Sequence, residues 1–268
     1  MSEDQGIRYQ IVEDNEKESE FKPIKNMFVP TFKIPENIQN EITNKTLESQ
    51  VKETDFVSQI KKFVAERNPG LVILTPCYGG TAFVSYMESL IQTFSLCKEI
   101  GLRLKIIFCR NDSLVSRARN NLIAKAMNDP GTTHMLFIDA DITWEPLDVI
   151  KLLLADKGLV GGIYPIKKYN WENITANPNF IQNIIEKKKT SQVKEMFSDI
   201  DYIKTNMVRY NVNYESQVLH VNNNLAKVRH LATGFMMIKR EVIETMMRGY
   251  PTTKYTDDVG FLAGTENN

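Results

Sequence analysis

Cysteine and histidine are both scarce in this chain. The three cysteines, Cys77, Cys97 and Cys109, form no C-x-x-C pair. That excludes a disulfide framework, and the odd count fits a reducing compartment. The three histidines, His134, His220 and His230, show no ligand spacing. The spacing therefore gives no sign of a histidine-built metal centre, and His134 reads as structural at the start of a strand. Charge of one sign is lacking too: 33 basic and 33 acidic residues cancel. No strong field for nucleic acid or an anionic membrane follows, so no nucleic-acid partner is expected. No apolar stretch reaches the roughly 18–20 residues of a membrane span. The opening "MSEDQGIRYQIVEDNEKESE" is too acidic and polar for a secretory signal. We therefore expect no membrane span, no anchor, and a cytoplasmic location. There is no internal repeat.

What is present is the composition of a globular chain, long enough for one large domain or two small ones. Residues 1–20 hold too few apolar groups to offset chain entropy and read as a disordered acidic lead. Residues 21–68 read as an arm and a helix. The arm spans 21–37, with Phe21, Ile24, Met27, Phe28, Phe32 and Ile34 among three prolines. The helical pattern spans 38–66, where Phe56, Val57, Ile60, Phe63 and Val64 form an i, i+3/i+4, i+7 stripe. "NPG" at 68–70 stops it. Over 69–268 the rhythm turns to strand–helix alternation. "LVILTP" (71–76), "LKIIFC" (104–109), "HMLFID" (134–139) and "GLVGGIYP" (158–165) read as strands, the last broken at its glycines. Thr81 caps a helix to about Ile100, with Phe83, Met87, Leu90, Ile91 and Phe94 inward. A second helix runs from Ser113 to about Asn128, and Pro146 opens a third. "NNNLAK" (222–227) suggests a hairpin, and 230–249 a strand followed by a helix. The lysines of "EKKKTSQ" (186–192) read as a solvated helix face. The fold class is α/β: a Rossmann-like, mostly parallel sheet flanked by helices, with a small antiparallel β extension.

Ligands on such sheets bind beyond the carboxyl ends of the strands. In chain order those ends carry Thr75-Pro76-Cys77-Tyr78-Gly79-Gly80, then Arg110-Asn111-Asp112-Ser113. Next come Asp139 and Asp141, and finally Gly161, Gly162, Tyr164, Pro165, Lys167 and Lys168. One rim thus gathers a carboxylate pair, glycines, an aromatic and several cations. Two carboxylates at one place repel unless a cation neutralises them. Oxygen ligands of this kind suit Mn²⁺ or Mg²⁺, held by one or two carboxylates together with substrate phosphates. The plainer alternative makes Asp141 a helix cap and Asp139 a solvated strand end.

The order "LVILTPCYG … SLVSRARNNLIAKAM … HMLFIDADITWEPLDVIKLL … LVGGIYPIKK … TGFMMIKREVIE" resembles the GT-A fold glycosyltransferases over roughly residues 70–250. It is most similar to the small glycosyltransferase-like proteins of large DNA viruses and phages, and more loosely to fungal mannosyltransferases of the mannan polymerase complexes. For a viral chain the location becomes the host cytoplasm. The resemblance implies that Asp139-Ala140-Asp141 is the D-x-D motif. Asp141 then binds the metal directly, and Asp139 contacts the metal or the ribose. Thr75, Pro76 and Tyr78 line the nucleoside pocket, and Asp112 stands where an acidic residue often reads the base. Arg119 and Arg117 reach nucleotide or phosphate. Gly162, Trp171, Gly234 and Phe235 fall to the sugar and the acceptor, and Lys167, with Lys168, to the diphosphate or the acceptor. The implied donor is a UDP-sugar, the metal Mn²⁺ or Mg²⁺, and the acceptor a glycan, a protein or a small molecule. Family members continue past "TGF…REV" with an acidic segment carrying a catalytic or acceptor-binding carboxylate, and often a later histidine. This chain offers Asp257 and Asp258 after "PTTKY", a poor match, so those elements are expected from a longer chain or another one.

Two other readings compete. "FIDADIT" also fits the D-x-D-x-T motif of haloacid dehalogenase-like phosphatases, in which Asp139 is the nucleophile, Asp141 a general acid, and Lys204 or Lys227 the later lysine. Those enzymes carry the motif on the first strand, whereas two strand–helix units precede it here. The third reading is a nucleotide-sugar binding module without catalysis.

Overall fold

The computed structural model describes residues 57–191, 195, 197–215, 220–222 and 224–254. The lead, the arm, most of the 38–66 helix and the Asp257–Asp258 pair lie outside them. Among the described residues a helix over 57–67, α1, buries Ile60 and Val64 with Phe63 packed beside them, as the stripe requires.

Strands and helices then alternate: β1 (Gly70–Cys77), α2 (Val84–Glu99), β2 (Arg103–Arg110), α3 (Val115–Met127), β3 (His134–Ile138), α4 (Pro146–Leu154) and β4 (Leu159–Gly161). A less regular stretch follows: β5 (Pro165–Tyr169), α5 (Glu172–Ala176), α6 (Phe180–Thr190), α7 (Asp199–Met207), β6 (Val208–Tyr210), β7 (Val212–Tyr214), β8 (Val221–Asn222), β9 (Leu225–Ala226) and β10 (Val228–Leu231). The chain then returns to the main sheet with β11 (Phe235–Lys239) and α8 (Arg240–Gly249).

The main sheet has the order β2-β1-β3-β11-β4. β1 pairs in parallel with β2 and β3, and β11 runs antiparallel to both β3 and β4. β4 is therefore parallel to β3, and the carboxyl ends of β1, β2, β3 and β4 share one rim. Small antiparallel pairs, β10-β7, β5-β6 and β8-β9, stand apart from this sheet. The last is the hairpin expected around "NNNLAK". This is a mixed α/β fold with a mostly parallel central sheet.

Side chains of a strand alternate between faces, and the sheet is apolar on both. Leu71, Ile73, Leu136, Ile138, Phe235 and Met237 pack under α1, α2 and α4. Val72, Leu74, Met135, Phe137, Met236 and Ile238 pack under α3 and α8 through Ala118, Leu122, Ala126 and Ile243. Each such buried side chain contributes about 1.5–3 kcal/mol. Pro146 opens α4, which Glu145 and Asp148 close with a reciprocal capping box. His134 is buried at the start of β3, its Nδ1 2.8 Å from Thr133 Oγ1. Lys188 of the lysine run pairs with Asp199 at 2.7 Å, while Lys187 and Lys189 are exposed. No helix among the described residues is long and apolar enough to cross a membrane.

Helix α2 departs from the sequence reading. Thr81 is not its cap: the helix begins at Val84, with Phe83 as N-cap and no side-chain cap bond. Leu90 is buried as expected, but Phe83, Met87, Ile91 and Phe94 are exposed, and Tyr86, Ser89, Thr93 and Cys97 are buried instead. The cause is Trp144, buried between α2 and the sheet. Its backbone N–H donates to Ser89 Oγ at 3.1 Å and its indole N–H to Thr93 Oγ1 at 2.9 Å. A buried donor without an acceptor costs about 1–3 kcal/mol, so the helix turns its hydroxyl-bearing face inward.

Candidate functional site

The site grows from the end of β3. The ladder with β11 continues one step past Ile138, where Asp139 N–H donates to Gly234 O at 2.9 Å. On the other side Phe83 N–H donates to Ala140 O at 2.9 Å, and Ile142 N–H closes a turn onto Asp139 O at 3.0 Å. The backbone of Asp139-Ala140-Asp141 is thus held by β11 and by the start of α2. Trp144, with its ring 5.1 Å from Tyr86 and 6.2 Å from Phe235, anchors the segment that follows.

The glycines explain why three distant motifs meet here. A Cβ on Gly234 would lie 2.4 Å from Tyr164 Oη, 2.7 Å from Tyr164 Cζ and 2.8 Å from Asp139 Oδ2. Gly234 N–H instead donates to Tyr164 Oη at 3.1 Å. Gly162 N–H donates to Phe235 O at 3.1 Å, and a Cβ there would lie 2.8 Å from the Phe235 ring. The stretches 139–141, 162–164 and 233–235 therefore pack as one unit at the rim.

Each carboxylate faces a cation of the chain itself. Arg119, from α3, donates to Asp139 Oδ1 at 2.8 Å, and Lys167, from β5, pairs with Asp141 Oδ2. The side chains of Asp139 and Asp141 are 32% and 34% exposed, so each pair is screened and worth about 0.2–1 kcal/mol. Arg119 Nε is buried without a hydrogen-bond partner among the described residues. Asp139 Oδ2 and Asp141 Oδ1 make no hydrogen bond to a described residue, leaving one hard oxygen of each carboxylate uncommitted. Among the described residues no third His, Cys, Asp or Glu joins them. This donor set fits Mg²⁺ or Mn²⁺, which take one or two carboxylates and fill the remaining positions with substrate phosphate and water; it does not fit a closed structural centre.

The other expected residues fall in two groups. Tyr78 is exposed on the turn after β1, and Asn111 N–H donates to Cys77 O at 3.1 Å, joining that turn to the end of β2. Pro76 is half-buried beside it. Trp171 is exposed and its ring lies 5.7 Å from Tyr169. Thr75 and Phe235, by contrast, are buried. Thr75 Oγ1 is 2.6 Å from Tyr86 Oη, and Phe235 belongs to the core, so both support the rim from behind. Asp112 is gripped by Arg117 through bonds of 2.8, 3.0 and 3.2 Å and accepts from Leu114 N–H at 3.0 Å. Its side chain is only 5% exposed, and the Arg117 guanidinium holds its carboxyl below the usual carboxylate range. The pair closes the start of α3 on itself, which leaves little of either group open to a base.

Two supporting residues escape the sequence reading of the site, Tyr86 and Trp144; Tyr164 is placed at the rim by the sequence, but not its hydroxyl's bond to Gly234 N–H. Trp144, three residues after the D-x-D triplet and just before Glu145-Pro146, carried the signal that could have found it. The lysines a phosphatase would use are engaged elsewhere, Lys204 with Asp201 and Lys227 with Glu215.

No protein-family model matches the chain, and no curated protein matches it. Among solved structures it is similar to the crystal structure of A197 from STIV. The identity is 14% and the TM-score 0.40, over 73% of this chain and 77% of that one. A likeness of this size identifies neither family nor activity.

Proposed function

We propose that the chain is a metal-dependent glycosyltransferase of the GT-A type, taking its sugar from a nucleoside-diphosphate sugar, a UDP-sugar by the motif resemblance. The observation that carries the reading is the convergence of Asp139-Ala140-Asp141, Gly162–Tyr164 and Gly234–Phe235 at the carboxyl rim of a mostly parallel sheet. Such rims are where α/β sheets bind ligands.

In this reading Asp141 and Asp139 hold Mn²⁺ or Mg²⁺ through their uncommitted oxygens. A bound divalent ion supplies Lewis-acid stabilisation of the charge that grows on a departing diphosphate. Arg119 fixes the direction of the Asp139 carboxylate. The turn bearing Tyr78 offers an aromatic face to the nucleoside. At the Gly162–Gly234 junction the missing Cβ atoms let Tyr164 and Phe235 close against the backbone beside Asp139, and a sugar and an acceptor hydroxyl would then be held at reacting distance next to this packed edge.

A thermal-shift screen of nucleotide-sugars, run with and without Mn²⁺, tests this. Stabilisation by one UDP-sugar in the presence of Mn²⁺ is expected. The reading fails when no nucleotide-sugar moves the melting temperature under either condition.

A further inference from the structure

Resting on that reading of the site, we propose that Lys167 is a resident, exchangeable cation: it holds Asp141 until a divalent ion and a diphosphate arrive together, then passes to the diphosphate.

The two carboxylates are neutralised in different ways. Arg119 is a planar, partly buried guanidinium, 22% exposed, projecting from the middle of α3. It is a fixed partner for Asp139. Lys167 is 69% exposed on a flexible stem, and a compact ammonium on four rotatable carbons is easily re-aimed. Its position is nevertheless specified. Within the β5-β6 pair, Pro165 faces Tyr210 and Tyr169 faces Val208. Four residue steps on β5 therefore match two on β6, so the register shifts within the stretch that carries Lys167. Irregularities of this kind near sites re-aim side chains. The ammonium also stands 5.7 Å from the centroid of the Phe83 ring, a cation–π distance. Phe83 is itself fastened by its N–H to Ala140 O. A register shift and an aromatic rest, from separate elements, thus aim one lysine at one carboxylate.

The charge count gives this arrangement a consequence. Asp139 and Asp141 against Arg119 and Lys167 sum to zero, so a divalent ion entering alone meets a neutral cluster and is repelled by Lys167. A divalent ion entering with a dianionic diphosphate keeps the cluster neutral, and Lys167 gains the diphosphate as a new partner. Metal and nucleotide therefore bind with positive coupling, which is reciprocal by linkage.

The test uses the full chain and the metal alone. Mn²⁺ is titrated into wild type and Lys167→Gln, with free Mn²⁺ read by electron paramagnetic resonance, and UDP is then titrated at saturating Mn²⁺ by calorimetry. Removing one like charge at a solvated site is worth about three- to tenfold in affinity. Lys167→Gln should therefore bind Mn²⁺ alone about three- to tenfold tighter than wild type, and UDP at saturating Mn²⁺ weaker by about the same factor. Lys167→Arg, which keeps the charge, should stay near wild type for Mn²⁺. Equal Mn²⁺ affinity in wild type and Lys167→Gln, with Mn²⁺-dependent UDP binding intact, overturns the exchange and leaves the donor-site reading standing. Absence of Mn²⁺-dependent UDP binding in wild type overturns both.

Discussion

Gly234→Ala is the sharpest single perturbation of the rim. The new methyl would sit 2.4 Å from Tyr164 Oη, 2.7 Å from its Cζ and 2.8 Å from Asp139 Oδ2. Ordinary van der Waals contact requires each gap to open by about an ångström. Tyr164 cannot simply swing away, because its hydroxyl accepts from Gly234 N–H and its carbonyl from Asn211 N–H. Forcing one extra carbon into such packing costs about 1–3 kcal/mol. Loss of the Gly234–Tyr164 hydrogen bond adds about 0.5–1.5 kcal/mol. A total of about 2–4 kcal/mol lowers the melting temperature of a chain of this size by about 4–16 °C. Asp139 is displaced in the same movement, so Mn²⁺-dependent UDP binding should fall with stability. Differential scanning calorimetry and UDP titration measure the two effects. A second variant checks the cause: in a Tyr164→Phe background the closest contact and the hydrogen bond are already gone. There Gly234→Ala should cost about 1 kcal/mol less than in wild type. A Gly234→Ala protein that melts with wild type and binds UDP as well would refute the account of this junction.

Two further predictions concern the support behind the site. Thr75 and Tyr86 are both buried and share one 2.6 Å hydrogen bond. Burial pushes the Tyr86 phenol up to about 12, so it stays protonated. Thr75→Val or Tyr86→Phe alone should cost about 1–3 kcal/mol in urea denaturation, and the double variant markedly less than their sum; strict additivity would count against the pairing. Burial, with Lys239 adding to it, depresses the His134 pKa below its ordinary value of 6.5. The unfolded chain takes up this proton near pH 6.5 while the folded chain resists it, so the stabilisation is complete above that pH and is lost as pH falls below it. His134→Gln should flatten the decline in melting temperature between pH 7.5 and 5.5, and an unchanged slope would assign the decline to other groups.

The frame of this fold is written in local pattern. β1 and β3 are nearly unbroken apolar runs, β2 centres on Ile106-Ile107-Phe108, Pro146 marks a helix start, and the strand–helix rhythm orders the loops along one rim. The carboxylate pair at the end of β3 was legible for the same reason, because a charge there contradicts the apolar run before it. What was not legible depends on partners distant in sequence. Hydrophobicity assigns Phe83, Met87, Ile91 and Phe94 to the inner face of α2, but the donors of Trp144 draw Ser89 and Thr93 inward instead. Thr75 and Phe235 belong to the motifs yet stand behind the rim, since one hydroxyl is spent on Tyr86 and one ring fills the core. The pairing of Arg117 with Asp112 joins α3 to the turn before it, where helix periodicity gives no guide. The sequence places Lys167 at the rim, but its pairing with Asp141, 26 residues away and across a register shift between Pro165 and Tyr169, depends on tertiary packing.

The central claim is that Asp139 and Asp141 form one end of a metal–diphosphate bridge. Calorimetric titration of UDP into wild type and Asp141→Ala, each with and without Mn²⁺, tests it most directly. The account predicts UDP binding that requires Mn²⁺ in wild type and disappears in Asp141→Ala, whose melting temperature should stay close to wild type because the lost ion pair is exposed. Equal UDP affinity in the two proteins would contradict it.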